Sequence, residues 1–175
     1  LLVAKDPSDP IPAMRIGWQL AMGNQIGRVW TGAIGEQHAD KPHYAEHLDY
    51  LRRATVVRQR FPAFLCVGRM LRPPFVDGAL PTITTNEFLR LDHRVTLPAA
   101  VGSTWQAADG SLGVLWTNMS RQTVELVFWI DPALAPGKAL ERAYDDGGMA
   151  ADTALGPQVR RIALPPLGIA FYTLR

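Results

Sequence analysis

Cysteine is almost absent from this chain: Cys66 is the only one in 175 residues. One thiol closes no internal disulfide and supplies no thiolate cluster for a metal. It also leaves the cellular compartment open. Set in Phe64-Leu65-Cys66-Val67, among apolar neighbours, it reads as a buried thiol on a strand. Long apolar runs are missing as well. No stretch of about 18 apolar residues occurs, which excludes a membrane-spanning helix. Charge is sparse and unbiased, with 18 Lys and Arg against 16 Asp and Glu and a net charge of +2. No basic face argues for nucleic acid or for a membrane surface as partner. The opening LLVAKDPSDPIP has neither an initiator Met nor a basic n-region, so it reads as a cut start rather than a signal peptide.

What is present is core-forming material. Hydrophobic residues make up 47% of the chain and charged residues 19%, the balance of a globular protein of one domain, or of one domain plus a fragment of another. Residues 14–22, MRIGWQLAM, form an apolar run without alternation. Such a run reads as a strand covered on both faces, as in parallel α/β sheets. Pro42 then opens a helix that closes with Arg58 and Arg60 in its last turn. Tyr44, Leu48, Leu51 and Thr55 make its apolar stripe, and His43, His47, Arg52, Arg53 and Arg60 take the solvent side. From about residue 64 the pattern shortens to alternating segments separated by turns. Val101, Ser103, Trp105 and Ala107 share one face, and Asp109-Gly110 marks a hairpin. Leu112, Val114 and Trp116 return on one face. Val124, Leu126, Phe128 and Ile130 then point inward, with Glu125, Val127 and Trp129 outward. Further strands are expected at ALERAY, RRIAL and GIAFYTL. The expected fold is mainly β: an antiparallel β-sandwich over residues 63–175, preceded over residues 1–62 by one βα unit of an incomplete (β/α)8 barrel. A lone βα unit cannot cover its own strand. Either another polypeptide covers residues 14–60, or the chain is the C-terminal piece of a larger α/β protein; the second is favoured.

The residues that would carry chemistry are few. Gly23-Asn24-Gln25-Ile26-Gly27 lacks the Lys-Ser/Thr of a phosphate loop and is not a G-x-G-x-x-G. At the end of a barrel strand, however, such a loop faces substrate. There Trp18, Gln19, Asn24, Gln25 and Trp30 suit a sugar, by ring stacking and by amide hydrogen bonds. The same residues also read as an ordinary turn beside a core tryptophan. His43 and His47 have the i, i+4 spacing of a two-His metal face, but Tyr44 stands where a zincin carries Glu. No metal and no cofactor is therefore expected. Asp6 and Asp9 belong to Asp-Pro turns, and Glu36 is the one acid whose loop approaches the expected site. No carboxylate pair and no G-x-S-x-G appears, so no catalytic residue is assigned. Asn118-Met119-Ser120 matches a glycosylation sequon and reads as a turn.

Arg58-Gln59-Arg60-Phe61-Pro62, the Gly68-Arg69-Met70-Leu71-Arg72-Pro73-Pro74 segment, the Trp105 to Gly110 hairpin and the closing PPLGIAFYTL together resemble the end of (β/α)8 glycoside hydrolases. The resemblance is to an uncharacterised bacterial group in which the last barrel strand and helix lead into a C-terminal β-sandwich, and it spans about residues 14–175. It implies carbohydrate as the ligand and the remainder of the barrel as a partner. It places Trp18, Gln19, Asn24 and Gln25 at a position that faces substrate. The acid and nucleophile of this class lie on earlier strands, so none is carried over. Two other functions remain open. In one the sandwich binds carbohydrate as an accessory module, with Trp129 or Trp105 as stacking platform; in the other it serves as a structural interaction domain. An exposed planar row of aromatics favours the first of these. A buried tryptophan set with an apolar patch over residues 14–57 favours the hydrolase end or the interaction domain.

Overall fold

The computed structural model describes residues 10–25, 42–87, 90–146 and 151–175. Within them the fold is mainly β. One sheet has five strands: β1 (Arg69–Met70), β5 (Ala100–Gln106), β6 (Leu112–Asn118), β8 (Leu140–Asp145) and β11 (Ile169–Leu174), in the order β1-β5-β6-β11-β8. The other has four: β2 (Phe75–Val76), β7 (Val124–Trp129), β9 (Ala151–Gly156) and β10 (Val159–Leu164), in the order β2-β7-β10-β9. β3 (Thr82–Glu87) and β4 (Arg90–Pro98) form a separate two-stranded ribbon. Every pairing is antiparallel.

The alternation read from the sequence sets these faces. Leu112, Val114 and Trp116 meet Val124, Leu126 and Phe128 between the two sheets, where Trp116 packs at 5.4 Å from Phe128. The Asp109-Gly110 turn closes the β5–β6 hairpin, with Gly110 at φ +81 and the Asp109 carboxylate accepting from the Ser111 amide at 2.9 Å. Gly68 to Pro74 crosses the open side of the sandwich. β1 pairs with β5 in one sheet, and β2 pairs with β7 in the other.

Residues 14–22 are not a strand. Ile11–Ala21 is an α-helix, α1. Pro12, Ala13, Met14, Ile16, Gly17, Leu20 and Ala21 are its buried positions, and Ala13, Ile16, Gly17, Leu20 and Ala21 among them keep the i, i+3, i+4 spacing of a helix face. Pro12 lies in its first turn, where the missing N–H costs nothing. Gly23, at φ +65, ends it. The Gly23 amide donates to the Leu20 carbonyl at 3.0 Å and the Asn24 amide to the Gln19 carbonyl at 2.9 Å. That pair of bonds is the Schellman ending of a helix. A short apolar run without alternation fits a buried helix as well as a buried strand, and here the helix wins.

The premise that the sandwich could not cover this segment fails with it. α1 and α2 (Pro42–Arg60) lie on the outer face of the five-stranded sheet, and Ile16, Leu20, Tyr50 and Ala54 share a core with Trp105, Leu115 and Phe171. The strands with both faces covered are β6, buried at every residue, and β11. The buried stripe of α2 is His47, Tyr50, Ala54 and Val57, about one position round from the expected one. Leu48 and Thr55 face out, and His47 is buried instead of solvated. Cys66 also departs from expectation. Phe64 and Leu65 belong to a one-turn helix, α3 (Pro62–Leu65), and the thiol just after it is exposed.

Candidate functional site at the helix–sheet joint

The described residues expected at a sugar cleft lie on α1 and in its ending. Trp18 and Gln19 sit half-buried on α1, while Asn24 and Gln25 are exposed past its end. Asn24 forms part of the helix stop, so this glycine turn terminates a helix and does not crown a strand. Glu36 and Trp30 lie outside the described residues. Trp105 and Trp116 are buried, and Trp129 stacks on Phe75 with ring centroids 5.6 Å apart. Arg72 covers Phe75 at 4.4 Å. These ring faces are spent on one another, so no planar aromatic row is displayed there. Asn118 is fully buried, and its Nδ2 donates to the carbonyls of Gln122 at 2.8 Å and Pro165 at 2.8 Å. That nitrogen is inside the fold, where no glycan can be attached. Among the described residues no group of three His, Cys, Asp or Glu is placed to hold a metal ion.

What the structure does assemble is a joint between α2 and the sandwich, built from the segment that carries the family resemblance. Arg58 Nη1 donates to the carbonyls of Gly23 at 2.6 Å, Asn24 at 3.1 Å and Leu65 at 2.8 Å. One guanidinium thus satisfies the chain just past α1 and the last residue of α3, as a cation at helix C-termini does. Arg60 lies over the rings of Phe61 and Tyr144, at 5.8 and 5.6 Å. Phe61 stacks on Phe171 of β11 at 4.1 Å. The Arg-x-Arg-Phe pattern is therefore a fastening between helix and sheet.

A second fastening lies two turns earlier on the helix and carries charge. Arg53 bonds Asp49 at 2.7 Å and donates to the Leu167 carbonyl at 3.0 Å. It also pairs with the buried carboxylate of Asp146, just past β8. The same carboxylate oxygen, Oδ2, also accepts from the Ile169 amide at 2.9 Å, while Oδ1 is buried without a hydrogen-bond partner among the described residues. Burial pushes the Asp146 carboxyl above the ordinary aspartate value, against the opposing pull of Ile169 N–H and Arg53. Asp49, nearer solvent, is held below it by hydrogen bonds from Arg52 and Arg53. Sequence reading placed Arg53 on the solvent side of its helix, far along the chain from Asp146. Only the fold, by bringing residues 93 positions apart together, makes them partners.

Among the described residues, none packs over the outer face of α2. Leu48 and Val56 on it are 39% and 40% exposed, among Ala45, Arg52, Thr55 and Gln59. Neither side chain has cover from the sandwich, which touches the helix from the opposite side.

No protein-family model matches the chain, and no curated protein matches it. Among solved structures the chain is similar to the isomaltulose synthase of Klebsiella sp. LX3, at 16% identity and a TM-score of 0.36. The likeness covers 87% of this chain and 21% of that one, so the chain spans about a fifth of that enzyme's length.

Proposed function

We propose that this chain is the C-terminal portion of a carbohydrate-active glycoside hydrolase, its β-sandwich stabilising a catalytic barrel that lies mostly outside these residues. In this reading α2 is the last helix of the barrel, and α1 is a packing helix rather than the last strand. The observation that carries it is the two-sidedness of α2. One side is fixed to the sheet by Tyr50, Ala54, Val57 and the Arg53–Asp146 pair, while the other presents Leu48 and Val56 to solvent. A helix fixed on one side with apolar residues left on the other has the form of an element shared between two layers. Its ligand is carbohydrate, its partner the rest of the barrel, and its catalytic acids lie beyond the chain.

A second reading keeps the same surface with a separate polypeptide as cover, which makes the chain an interaction module. The two part in a direct assay. The native polypeptide is isolated from its producing cells, its intact mass is measured, and its hydrolysis of aryl glycosides is compared with that of the 175-residue chain. The hydrolase reading expects a longer polypeptide that is active and a short chain that is inactive. A native polypeptide no longer than this chain, or one that hydrolyses no glycoside, overturns it.

A further inference from the structure

A cleft of about 330 Å³ opens where the start of α1, the second turn of α2 and the loop between β6 and β7 meet. Its floor is aliphatic, formed by Ala13, Ala99, Met119, Val124 and Leu167. Its walls are polar, with His47, Thr82, Arg121, Gln122 and Thr123 lining them. The loop is fixed more firmly than a reversal between two strands requires. The buried amide of Asn118 donates to the Gln122, Leu164 and Pro165 carbonyls, and its oxygen accepts from the Ser120 amide at 2.9 Å. Ser120 Oγ in turn accepts from the Gln122 amide at 3.2 Å. At the rim, Arg121 Nε donates to Glu46 Oε2 at 3.1 Å, bridging the loop to α2.

These groups select the class of ligand. Glu46 already answers the charge of Arg121, so an anion entering here meets a carboxylate. A cation meets the guanidinium and no cluster of acids. A neutral ligand with several hydroxyls suits the lining, since Arg121, its charge already answered by Glu46, donates to one hydroxyl while the neutral polar side chains beside it meet the others. Thr82, Thr123 and Gln122 both donate and accept, and the aliphatic floor takes a C–H face. The volume lies at the lower end of small-molecule pockets, which run from about 300 to 1,000 Å³.

We propose that this cleft between the Asn118 loop and α2 binds a neutral sugar of one or two rings. Every lining residue belongs to this chain, so the site does not rest on the hydrolase reading. Titration of the 175-residue chain with maltose, cellobiose and sodium phosphate, followed by amide NMR shifts, tests it. The expected result is saturable millimolar binding of at least one disaccharide, with shifts centred on Thr82 and Gln122–Thr123, and no saturable binding of phosphate. Arg121→Ala weakens the sugar affinity at least about tenfold through the lost charge-assisted bond. Glu46→Gln, which keeps an acceptor, weakens it less. Both side chains are part-exposed at the rim, so neither change threatens the core. Four results overturn the proposal: no saturable shift up to the solubility limit of either sugar, shifts centred on Trp129 instead, undiminished sugar affinity in Arg121→Ala, or saturable phosphate binding in place of sugar.

Discussion

Tyr50 of α2 and Thr117 of β6 share a hydrogen bond in the interface between helix and sheet, and both side chains are fully buried. Burial also drives the Tyr50 phenol far above its ordinary pKa, so it stays neutral throughout the range in which the protein folds. Tyr50→Phe leaves the Thr117 hydroxyl buried without this partner and costs about 1–3 kcal/mol. Adding Thr117→Val removes the stranded hydroxyl and recovers part of that loss. Urea denaturation of the two single variants and the double variant measures the coupling. Strictly additive costs would show that the two groups do not interact.

Gly23 is required by the helix stop. Its φ is +65, and a Cβ there would stand 2.5 Å from the Trp105 ring. Gly23→Ala is expected to cost about 2 kcal/mol, from left-handed backbone strain and from displacement of Trp105. Amide exchange across residues 11–21 should quicken with it. A variant with unchanged stability would return this glycine to the role of an ordinary loop residue.

Arg58 holds three backbone carbonyls, those of Gly23, Asn24 and Leu65. Arg58→Ala is expected to cost about 2–3 kcal/mol. Arg58→Lys should recover less than half, because all three bonds come from Nη1 and a lysine ammonium ends one bond short of that atom. A lysine variant as stable as the arginine protein in chemical denaturation argues against the clamp.

Asp146 gives the joint a pH signature. Its folded-state pKa is raised above the reference value of 3.8, so between 3.8 and that raised value the folded protein binds more protons than the unfolded chain. Stability from this group is therefore fully present below 3.8 and declines as pH rises through the folded value. Compared with Asp146→Asn, which does not titrate, the wild-type protein should gain relative stability on acidification through this window. Parallel pH–stability curves for the two proteins would contradict the assignment.

The sandwich was legible because half-covered strands betray their faces. Val124, Leu126, Phe128 and Ile130 alternate with Glu125, Val127 and Trp129, and the core lies on the side the alternation picks out. The helical layer was harder to read. MRIGWQLAM carries helix punctuation, with Pro12 before it and Gly23 after it, but its unbroken apolar character matches a two-sided strand equally well. On α2 the large residues Leu48 and Leu51 drew the stripe one position away from its true line. The interface has instead selected a small residue, Ala54, and a buried histidine, His47, for close approach to the sheet. Of the residues expected to meet a sugar, Trp18, Gln19, Asn24 and Gln25 belong to a helix and its ending. The polar walls of the cleft come from His47, from Thr82 and from residues 121–123, which lie on separate elements and are brought together only by the tertiary fold.

The central claim is that the outer face of α2 packs against the remainder of a longer protein. Hydroxyl-radical footprinting reads it at the two side chains concerned, in the native polypeptide and in the 175-residue chain side by side. The account predicts strong labelling of Leu48 and Val56 in the short chain and marked protection of both in the native protein, with the buried Tyr50 protected in each. Equal labelling of Leu48 and Val56 in the two samples would contradict it.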